Sequence, residues 1–208
     1  MTRIGAPLVV GIGGTLGGPS STERALKIAM TAAAREGLRT RMFGGADLGE
    51  LPLYNPKATR RSPQEREFVD AVREASALII ASPGYHGNIS GTVKNALDLL
   101  EETAHDASRP YLADMPVGLI CTAYGWQATG STIAALRSIV HALRGWPTPY
   151  AAAINCQTTK LDDDGGASDP EVLEQLAVVG RQVARFAPPL VTDHACYQTS
   201  NGLALVPQ

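Results

Sequence analysis

Glycines and hydroxyl side chains are concentrated in residues 13–22, GGTLGGPSST, near the start of the chain. Glycines allow a tight main-chain path, and a helix that begins here leaves its first N–H groups without partners. Those N–H groups, the positive end of the helix dipole and hydroxyl donors together favour a bound phosphate. An ordinary glycine-rich turn with a helix cap is the alternative. The residues predicted to form the anion site are Thr15, Gly18, Ser20, Ser21 and Thr22.

Two better-known phosphate loops fail at decisive positions in this segment. The spacing Gly13-xxxx-Gly18 resembles a nucleotide triphosphate loop, but Pro19 stands where that loop needs its lysine. The pair Gly11-x-Gly13 opens a dinucleotide fingerprint, but Leu16 stands where the third glycine belongs. The segment is therefore predicted to bind a monophosphate.

Two later segments combine glycine with aromatic and polar residues: 82–98, SPGYHGNISGTVKNALD, and 122–130, TAYGWQATG. Each follows a short apolar run and leads into a helical pattern. In an open α/β sheet, ligands bind beyond the carboxyl ends of the strands, near the switch in strand order. All three segments are therefore expected at one edge of one sheet.

The elements that must position these segments alternate along the chain. Short apolar runs at 7–12, 77–81, 116–121 and 150–154 predict strands buried on both faces. A weaker run at 38–43 alternates apolar and polar residues and predicts a further strand. Ser20–Glu23 and Ser62–Glu65 have the spacing of capping boxes, and Ser90 is a third predicted cap. Two further helical patterns cover about residues 131–143 and 170–186.

This alternation predicts an α/β fold of flavodoxin-like type. It is a three-layer sandwich with a five-stranded parallel sheet of order 2-1-3-4-5 and helices on both faces. Residues 1–187 are predicted to form this domain. Residues 188–208 are predicted to be a C-terminal tail that packs on the domain surface or on a neighbour.

Composition excludes several classes of protein. The chain has 208 residues, with 18 Lys and Arg against 20 Asp and Glu, so its formal charge is −2. That balance argues against a nucleic-acid binder. There is no apolar run long enough for a membrane span and no signal-like start, so we expect no membrane partner.

The cysteines, Cys121, Cys156 and Cys196, are odd in number and widely spaced. They suggest neither disulfides nor a zinc pair, and a reducing cytoplasm is the simplest location. Cys121 lies in an apolar run and is predicted to be a core residue. The acidic run at 162–164 is read as a solvated loop, and we predict no metal site.

Residues 82–98 resemble the signature of the NADPH-dependent FMN reductase family. The usual family form is a Pro-Glu-Tyr-Asn turn, then a glycine, then Lys-Asn-Ala-Leu-Asp on the following helix. Pro83, Tyr85, Gly91 and the run 94–98 match at the right spacing. Gly84 stands where Glu is common, and His86 stands where Asn is common. The resemblance extends over about residues 8–186.

The resemblance implies FMN as the cofactor, with its phosphate at the first segment and its ring between the other two. Main-chain N–H groups of the second turn would meet the edge of the flavin where reduction builds negative charge. No side chain is implied to be catalytic, because flavin hydride transfer needs no protein base. Tyr85 could instead contact another subunit, and His86 could be a polar loop residue. The implied ring contacts are Pro83, Gly84, Tyr85, His86, Gly87, Asn88, Thr122, Ala123, Tyr124 and Gly125.

The resemblance also implies an activity: hydride passes from NADPH or NADH to the N5 atom of FMN, and electrons pass on to free flavin, a quinone, an azo compound or a metal oxyanion. Many relatives carry an arginine in the first loop that meets the NADPH 2′-phosphate, whereas Leu16 and Gly17 occupy that region here. NADH use therefore stays open, and Arg60 and Arg61 are either a substitute or a solvated basic pair. Relatives form homodimers or homotetramers, and a flavin-dependent monooxygenase is a conceivable partner.

Three other functions compete with this reading. A flavodoxin-type electron carrier would bind FMN without oxidising NAD(P)H, although carriers are usually strongly acidic and this chain is not. A flavin-free regulatory module on the same fold is a second alternative. A dehydrogenase with a dinucleotide-binding fold is weaker, because the fingerprint fails.

Overall fold

A computed structural model of the chain describes residues 5–188. Its parallel sheet has the order β2-β1-β3-β5-β6, and a short strand, β4, pairs antiparallel with β3. The predicted five-strand order is therefore confirmed. The strands are β1 (Leu8–Gly13), β2 (Arg39–Phe43), β3 (Ala77–Tyr85), β4 (Asn88–Ile89), β5 (Pro116–Ala123) and β6 (Trp146–Asn155).

The helices begin where polar caps precede apolar faces. Ser62 accepts the Glu65 N–H while Glu65 accepts the Ser62 N–H, so that capping box is complete. Ser90 accepts the Val93 N–H, as predicted. The helices are α1 (Ser21–Arg35), α2 (Gly45–Gly49), α3 (Pro63–Glu74), α4 (Gly91–Asp98), α5 (Trp126–Ala142) and α6 (Pro170–Phe186), with a 3-10 turn over Leu99–Thr103.

Apolar side chains are buried on both faces of the sheet. Val9 packs in a cluster with residues of α1 and α6, whereas its neighbour Val10 packs with residues of α3, α4 and α5. Successive strand residues point to opposite faces, so a strand covered by helices on both sides must be apolar throughout. This explains why the predicted strands at 7–12, 77–81 and 116–121 lack alternation.

The strands are longer at their carboxyl ends than the sequence indicates. β3 continues through Pro83, Gly84 and Tyr85, which were expected in a loop. Pro83 lies opposite Thr122 of β5, while Gly84 and Tyr85 pair with β4. These pairings hold the proline and the glycine in an extended conformation, although both residue types are depleted in strands.

Other boundaries also differ from the prediction. β5 includes Thr122 and Ala123, and α5 begins at Trp126 rather than near residue 131. β6 begins at Trp146 in spite of two prolines, because it is an edge strand where a missing N–H is tolerated. Helix α2 was not predicted. Of the predicted tail, residues 189–208 lie outside the described residues.

The described residues, 5–188, contain no helix with the length and hydropathy needed to cross a bilayer. The same span contains no group of three or more His, Cys, Asp or Glu side chains that could hold a metal ion. The acidic run instead supplies Asp163 as an ion-pair partner for Arg24.

Cys121 is fully buried in β5, as predicted, and burial raises its pKa from 9.0 to about 11. The folded protein therefore keeps this proton over a pH range in which the unfolded chain loses it. The resulting stabilisation is complete below about pH 9 and is lost as the pH rises towards 11.

We expect the difference in unfolding free energy between wild type and Cys121→Ala to shrink as the pH rises from about 9 to about 11. Urea unfolding at several pH values measures it, and a constant difference would contradict the assignment.

Candidate functional site

The three predicted segments meet at the carboxyl edge of the sheet, which we call the rim. β1, β3 and β5 are neighbours there, with Gly13 opposite Ala81 and Pro83 opposite Thr122. Three segments therefore leave the sheet side by side: the loop after β1 with the first two residues of α1 (residues 14–22, the first loop), the β3–β4 hairpin (83–89) and the turn before α5 (124–125, the third loop).

The first loop leads into the N-terminus of α1. Ser20 is the helix cap, and its hydroxyl accepts the Glu23 N–H at 3.2 Å. Within residues 5–188, the N–H groups of Ser21 and Thr22 have no protein acceptor. Thr15 is half-buried and Gly18 is exposed with a positive φ of 95°. The loop thus offers two main-chain donors and two hydroxyls, those of Thr15 and Ser21, to an anion.

The Thr22 hydroxyl occupies a different place from the one expected for a phosphate donor. It is buried and lies 2.5 Å from the equally buried Thr122 hydroxyl at the end of β5. One hydroxyl therefore donates to the other, and burial keeps both from a ligand at the rim. Thr22 can offer a ligand only its main-chain N–H, and Thr122 is shielded below the rim.

Helix α2 supports the first loop from beneath. A Cβ atom added to Gly14 would lie 2.5 Å from the Gly45 nitrogen, and one added to Gly45 would lie 2.0 Å from the Thr15 oxygen. The Glu23 carboxylate accepts the Gly45 N–H at 3.0 Å, so it does not complete the predicted capping box with Ser20. Sequence reasoning missed this support; the glycine pair at 44–45 was its only local signal.

The hairpin turns tightly at His86 and Gly87. Both residues have positive φ, 51° and 81°, between the paired residues Tyr85 and Asn88. This is the backbone of a two-residue hairpin turn, which glycine adopts at little cost. Among the described residues neither the His86 N–H nor the Gly87 N–H has an acceptor. The turn therefore presents two consecutive exposed N–H groups at the rim.

The hairpin packs closely on α5. A Cβ atom added to Gly84 would lie 2.9 Å from the Thr132 hydroxyl and 3.0 Å from the Ala123 Cβ. The Thr132 hydroxyl also donates to the Asn88 carbonyl at 3.3 Å. These contacts leave no room for a larger residue at 84, which accounts for a glycine at this position.

Ser82 closes the base of the hairpin. Its hydroxyl is fully buried, accepts the Ser90 N–H at 2.9 Å and donates to the Pro83 carbonyl at 2.9 Å. The same hydroxyl thereby fixes where the hairpin leaves β3 and where α4 begins.

We expect Ser82→Ala to lower the free energy of unfolding by about 1–3 kcal/mol, because it leaves the buried Ser90 N–H without an acceptor. Ser168→Ala is the matched control. The Ser168 hydroxyl accepts the Lys160 N–H at 3.0 Å in an exposed position, where water can replace it, so the loss should stay below about 0.5 kcal/mol. Urea unfolding measures the free energy of unfolding of both variants, and equal losses would contradict a structural role for the buried Ser82 hydroxyl.

The third loop leaves a helix N-terminus without a side-chain cap. Gly125, with a φ of 126°, precedes α5, and in the described part of the chain the N–H groups of Trp126, Gln127 and Ala128 have no acceptor. Tyr124 is 79% exposed and Trp126 is 64% exposed. Trp126 is therefore not buried against a neighbouring loop. Both aromatic rings, with Tyr85 at 53%, are available at the rim.

Arg61, one of the two arginines considered for the NADPH 2′-phosphate, is held by other side chains of the protein. Arg61 is only 11% exposed in its side chain, pairs with Glu65 and Glu102, and stacks on Tyr54. The interpretation of a solvated basic pair is therefore wrong for Arg61, while Arg60 is exposed. Burying an arginine requires such partners, and one of them, Glu102, lies 41 residues away in sequence.

The signature run 94–98 has a structural role in this chain. The Asn95 amide accepts the Tyr54 N–H at 2.8 Å and donates to the Pro52 carbonyl at 2.9 Å. Lys94 and Asp98 form the ion pair that their spacing allows. The signature therefore fixes α4 and the segment at 52–54, and it leaves the rim to main-chain groups.

A cleft of about 480 Å³ lies beside the first and third loops. Its walls include Ser21, Tyr124 and Cys156, and the ion pair of Arg24 with Asp163 at 2.7 Å crosses one side. Burial raises the pKa of the Cys156 thiol, which lines the same cleft as Ser21. The sequence had not indicated that the loop after β6 reaches this region.

These features fit an elongated ligand with an anionic group at one end. Unpaired N–H groups at Ser21 and Thr22 suit a phosphate, and those at His86 and Gly87 suit the acceptor atoms of a polar ring edge. Pro83, Thr122 and Ala123 are buried, so they can shape the site only from below. The residues present therefore fit flavin mononucleotide.

Comparison with known proteins also indicates a flavin-binding protein. The family model described as NADPH-dependent FMN reductase matches residues 7–159. An FMN-dependent NADPH-azoreductase of Staphylococcus haemolyticus is 32% identical over 125 residues, 56% of this chain. A quinone reductase of Pseudomonas putida is 34% identical over 67 residues, 31% of this chain. The matches span 62% of the azoreductase and 32% of the quinone reductase.

Solved structures share the fold at low sequence identity. The flavoenzyme NAD(P)H:(acceptor) oxidoreductase FerB of Paracoccus denitrificans has a TM-score of 0.69 and 18% identity, over 89% of this chain and 100% of its own. An NADH:FMN oxidoreductase in its apo form has a TM-score of 0.68 and 20% identity, over 88% of this chain and 91% of its own. These likenesses establish the architecture.

Proposed function

The chain belongs to the NADPH-dependent FMN reductase family, and from that premise we propose that it is an FMN-dependent NAD(P)H oxidoreductase. The observation that carries the proposal is the convergence of three segments at one rim, with unpaired main-chain donors at the first loop and at the hairpin turn. FMN, when bound, supplies the chemistry: it accepts hydride from a reduced nicotinamide and delivers electrons to an acceptor.

The protein's own residues bind and orient the cofactor in this proposal. Ser21 and Thr22 N–H groups, with the Thr15 and Ser21 hydroxyls, hold the phosphate. The His86 and Gly87 N–H groups face the ring edge that gains negative charge, and such fixed donors need no reorganisation. The uncapped start of α5 adds a positive end of a helix dipole. No described side chain is assigned a proton-transfer role.

The exposed aromatic residues indicate where small molecules stack. Tyr85, Tyr124 and Trp126 surround the rim with large exposed rings. Flat, conjugated acceptors such as free flavins, quinones and azo compounds are matched by such surfaces, whereas a metal oxyanion would gain little from them. Arg61 is held by two carboxylates, so it does not replace an arginine for the NADPH 2′-phosphate, and we include NADH as a co-substrate alongside NADPH.

The proposal extends to assembly and location. Exposed aromatic residues beside a cofactor site also suit contact with a second copy, which supports a homodimer or homotetramer. The free thiols of Cys121 and Cys156 support a reducing cytoplasm. A flavin-dependent monooxygenase would be a partner only if free FMN is a substrate.

The test uses the full chain loaded with FMN and freed of excess. NADH and NADPH oxidation is followed by absorbance with free FMN, a naphthoquinone and an azo dye as acceptors. We expect FMN-dependent oxidation of at least one nicotinamide. Turnover of free FMN would identify a flavin-supplying reductase, and turnover of only the other acceptors would identify a detoxifying enzyme. FMN binding without any nicotinamide oxidation would favour the electron-carrier alternative and overturn the proposal.

A further inference from the structure

We infer that the hydrogen bond between Thr22 and Thr122 is a strut that sets the distance between the phosphate-binding and ring-binding halves of the site. The inference rests on the proposed function, since it concerns how the chain spans FMN. It gives both residues a positioning role in place of the direct ligand contacts expected from the sequence.

The two hydroxyls join separate parts of the site. Thr22 is in the first turn of α1, and its N–H is one of the two unpaired donors of the first loop. Thr122 is near the end of β5, opposite Pro83 of the hairpin and two residues before Tyr124 of the third loop. Their side chains meet at 2.5 Å although they are separated by 100 residues. One short contact thus connects the two ends of the ligand site.

The contact is shorter than apolar side chains allow. Hydroxyl oxygens in a hydrogen bond approach to about 2.7 Å, whereas methyl groups stop at about 3.5–4.0 Å. Two valines would therefore fill the same buried space but would push α1 and β5 apart by about 1 Å. They would leave no buried hydroxyl unpaired, so the fold need not lose much stability.

The separation matters only to a ligand that spans both halves. FMN gains affinity because its phosphate and ring are joined, so that the second contact is intramolecular once the first is made. That gain depends on the two half-sites lying at the right distance. Riboflavin, which lacks the phosphate, binds to the ring half alone, so its affinity should not depend on the separation of the two halves.

The test compares FMN and riboflavin on Thr22→Val/Thr122→Val, with dissociation constants from flavin fluorescence. We expect FMN to bind about tenfold more weakly, and riboflavin to bind within about twofold of its wild-type affinity. The conservative variant Thr22→Ser keeps the hydroxyl and should retain FMN affinity within about twofold.

Thr103→Val is the matched control. Thr103 is buried and its hydroxyl donates to the Leu100 carbonyl, in the 3-10 turn that follows α4. Urea unfolding of the flavin-free proteins compares its stability with that of the double variant. We expect similar losses of stability but a loss of FMN affinity only in the double variant.

Three results would contradict the inference that the Thr22–Thr122 hydrogen bond sets the distance between the two halves of the site. They are equal weakening of FMN and riboflavin in the double variant, unchanged FMN affinity there, and a matching loss of FMN affinity in Thr103→Val. If the wild-type protein itself failed to bind FMN, both the proposed function and this inference would be wrong.

Discussion

Gly14→Ala is expected to weaken FMN binding by at least about 100-fold, because it drives the first loop off its support. Gly14 has a φ of 135°, which an L side chain rarely adopts, and its added Cβ would lie 2.5 Å from the Gly45 nitrogen and 2.9 Å from the Glu23 carboxylate. The nearest atom belongs to main chain, so the loop and α2 must separate. We also expect the free energy of unfolding to fall by about 2–4 kcal/mol.

Gly17→Ala in the same loop is the matched control for this result. Gly17 has no positive φ, and no atom of residues 5–188 lies within 4 Å of its added Cβ. FMN affinity should stay within about threefold of wild type. Isothermal titration with FMN measures both variants. If Gly14→Ala bound FMN as well as Gly17→Ala does, the conformation of the first loop would not be part of the site.

The second large effect is expected for Gly87→Val, which should bind FMN about 10- to 30-fold more weakly than wild type does. The nearest described atom to an added Cβ, the Ser131 hydroxyl, is 3.8 Å away, so the Cβ itself meets no clash. The effect arises from the φ of 81°, which a β-branched residue adopts only with strain. Relaxing that strain reorients the consecutive N–H groups of His86 and Gly87.

Gly37→Val provides the same strain away from the rim. Gly37 follows the C-terminal end of α1 and has a φ of 92°, and no atom of the described residues lies within 4 Å of its added Cβ. We expect a similar loss of stability in both variants, with FMN affinity reduced only in Gly87→Val. The measurement is flavin fluorescence titration together with urea unfolding. Equal FMN affinities in the two variants would remove the hairpin turn from the site.

The fold was predictable because its signals are local. Runs such as 77–81 are apolar throughout, which indicates a strand covered on both faces, and Ser62 with Glu65 marks a helix start within four residues. Right-handed crossovers place helices on both faces of the sheet, and the strand order followed because five alternating strands fit the flavodoxin-like order 2-1-3-4-5. Similarly, the rim could be located from glycine-rich segments that follow buried strands.

What the sequence did not reveal depends on contacts between distant residues. Helix α2 is only five residues long and exists as a support for Gly14, so its own pattern is weak. Arg61 was read as solvated because Glu102, its ion-pair partner, lies 41 residues away. The Thr22 hydroxyl was assigned to a phosphate because nothing near it in sequence indicates Thr122. Pro83 and Gly84 were assigned to a loop because their strand partners belong to other segments.

The most direct test of the site is an amide NMR titration of the ¹⁵N-labelled full chain with FMN. The account predicts that the largest shifts fall on the donors that have no acceptor among the described residues, namely Ser21, Thr22, His86, Gly87, Trp126, Gln127 and Ala128. Shifts confined to one segment, shifts centred on residues remote from the rim, or no shifts at saturating FMN would contradict it.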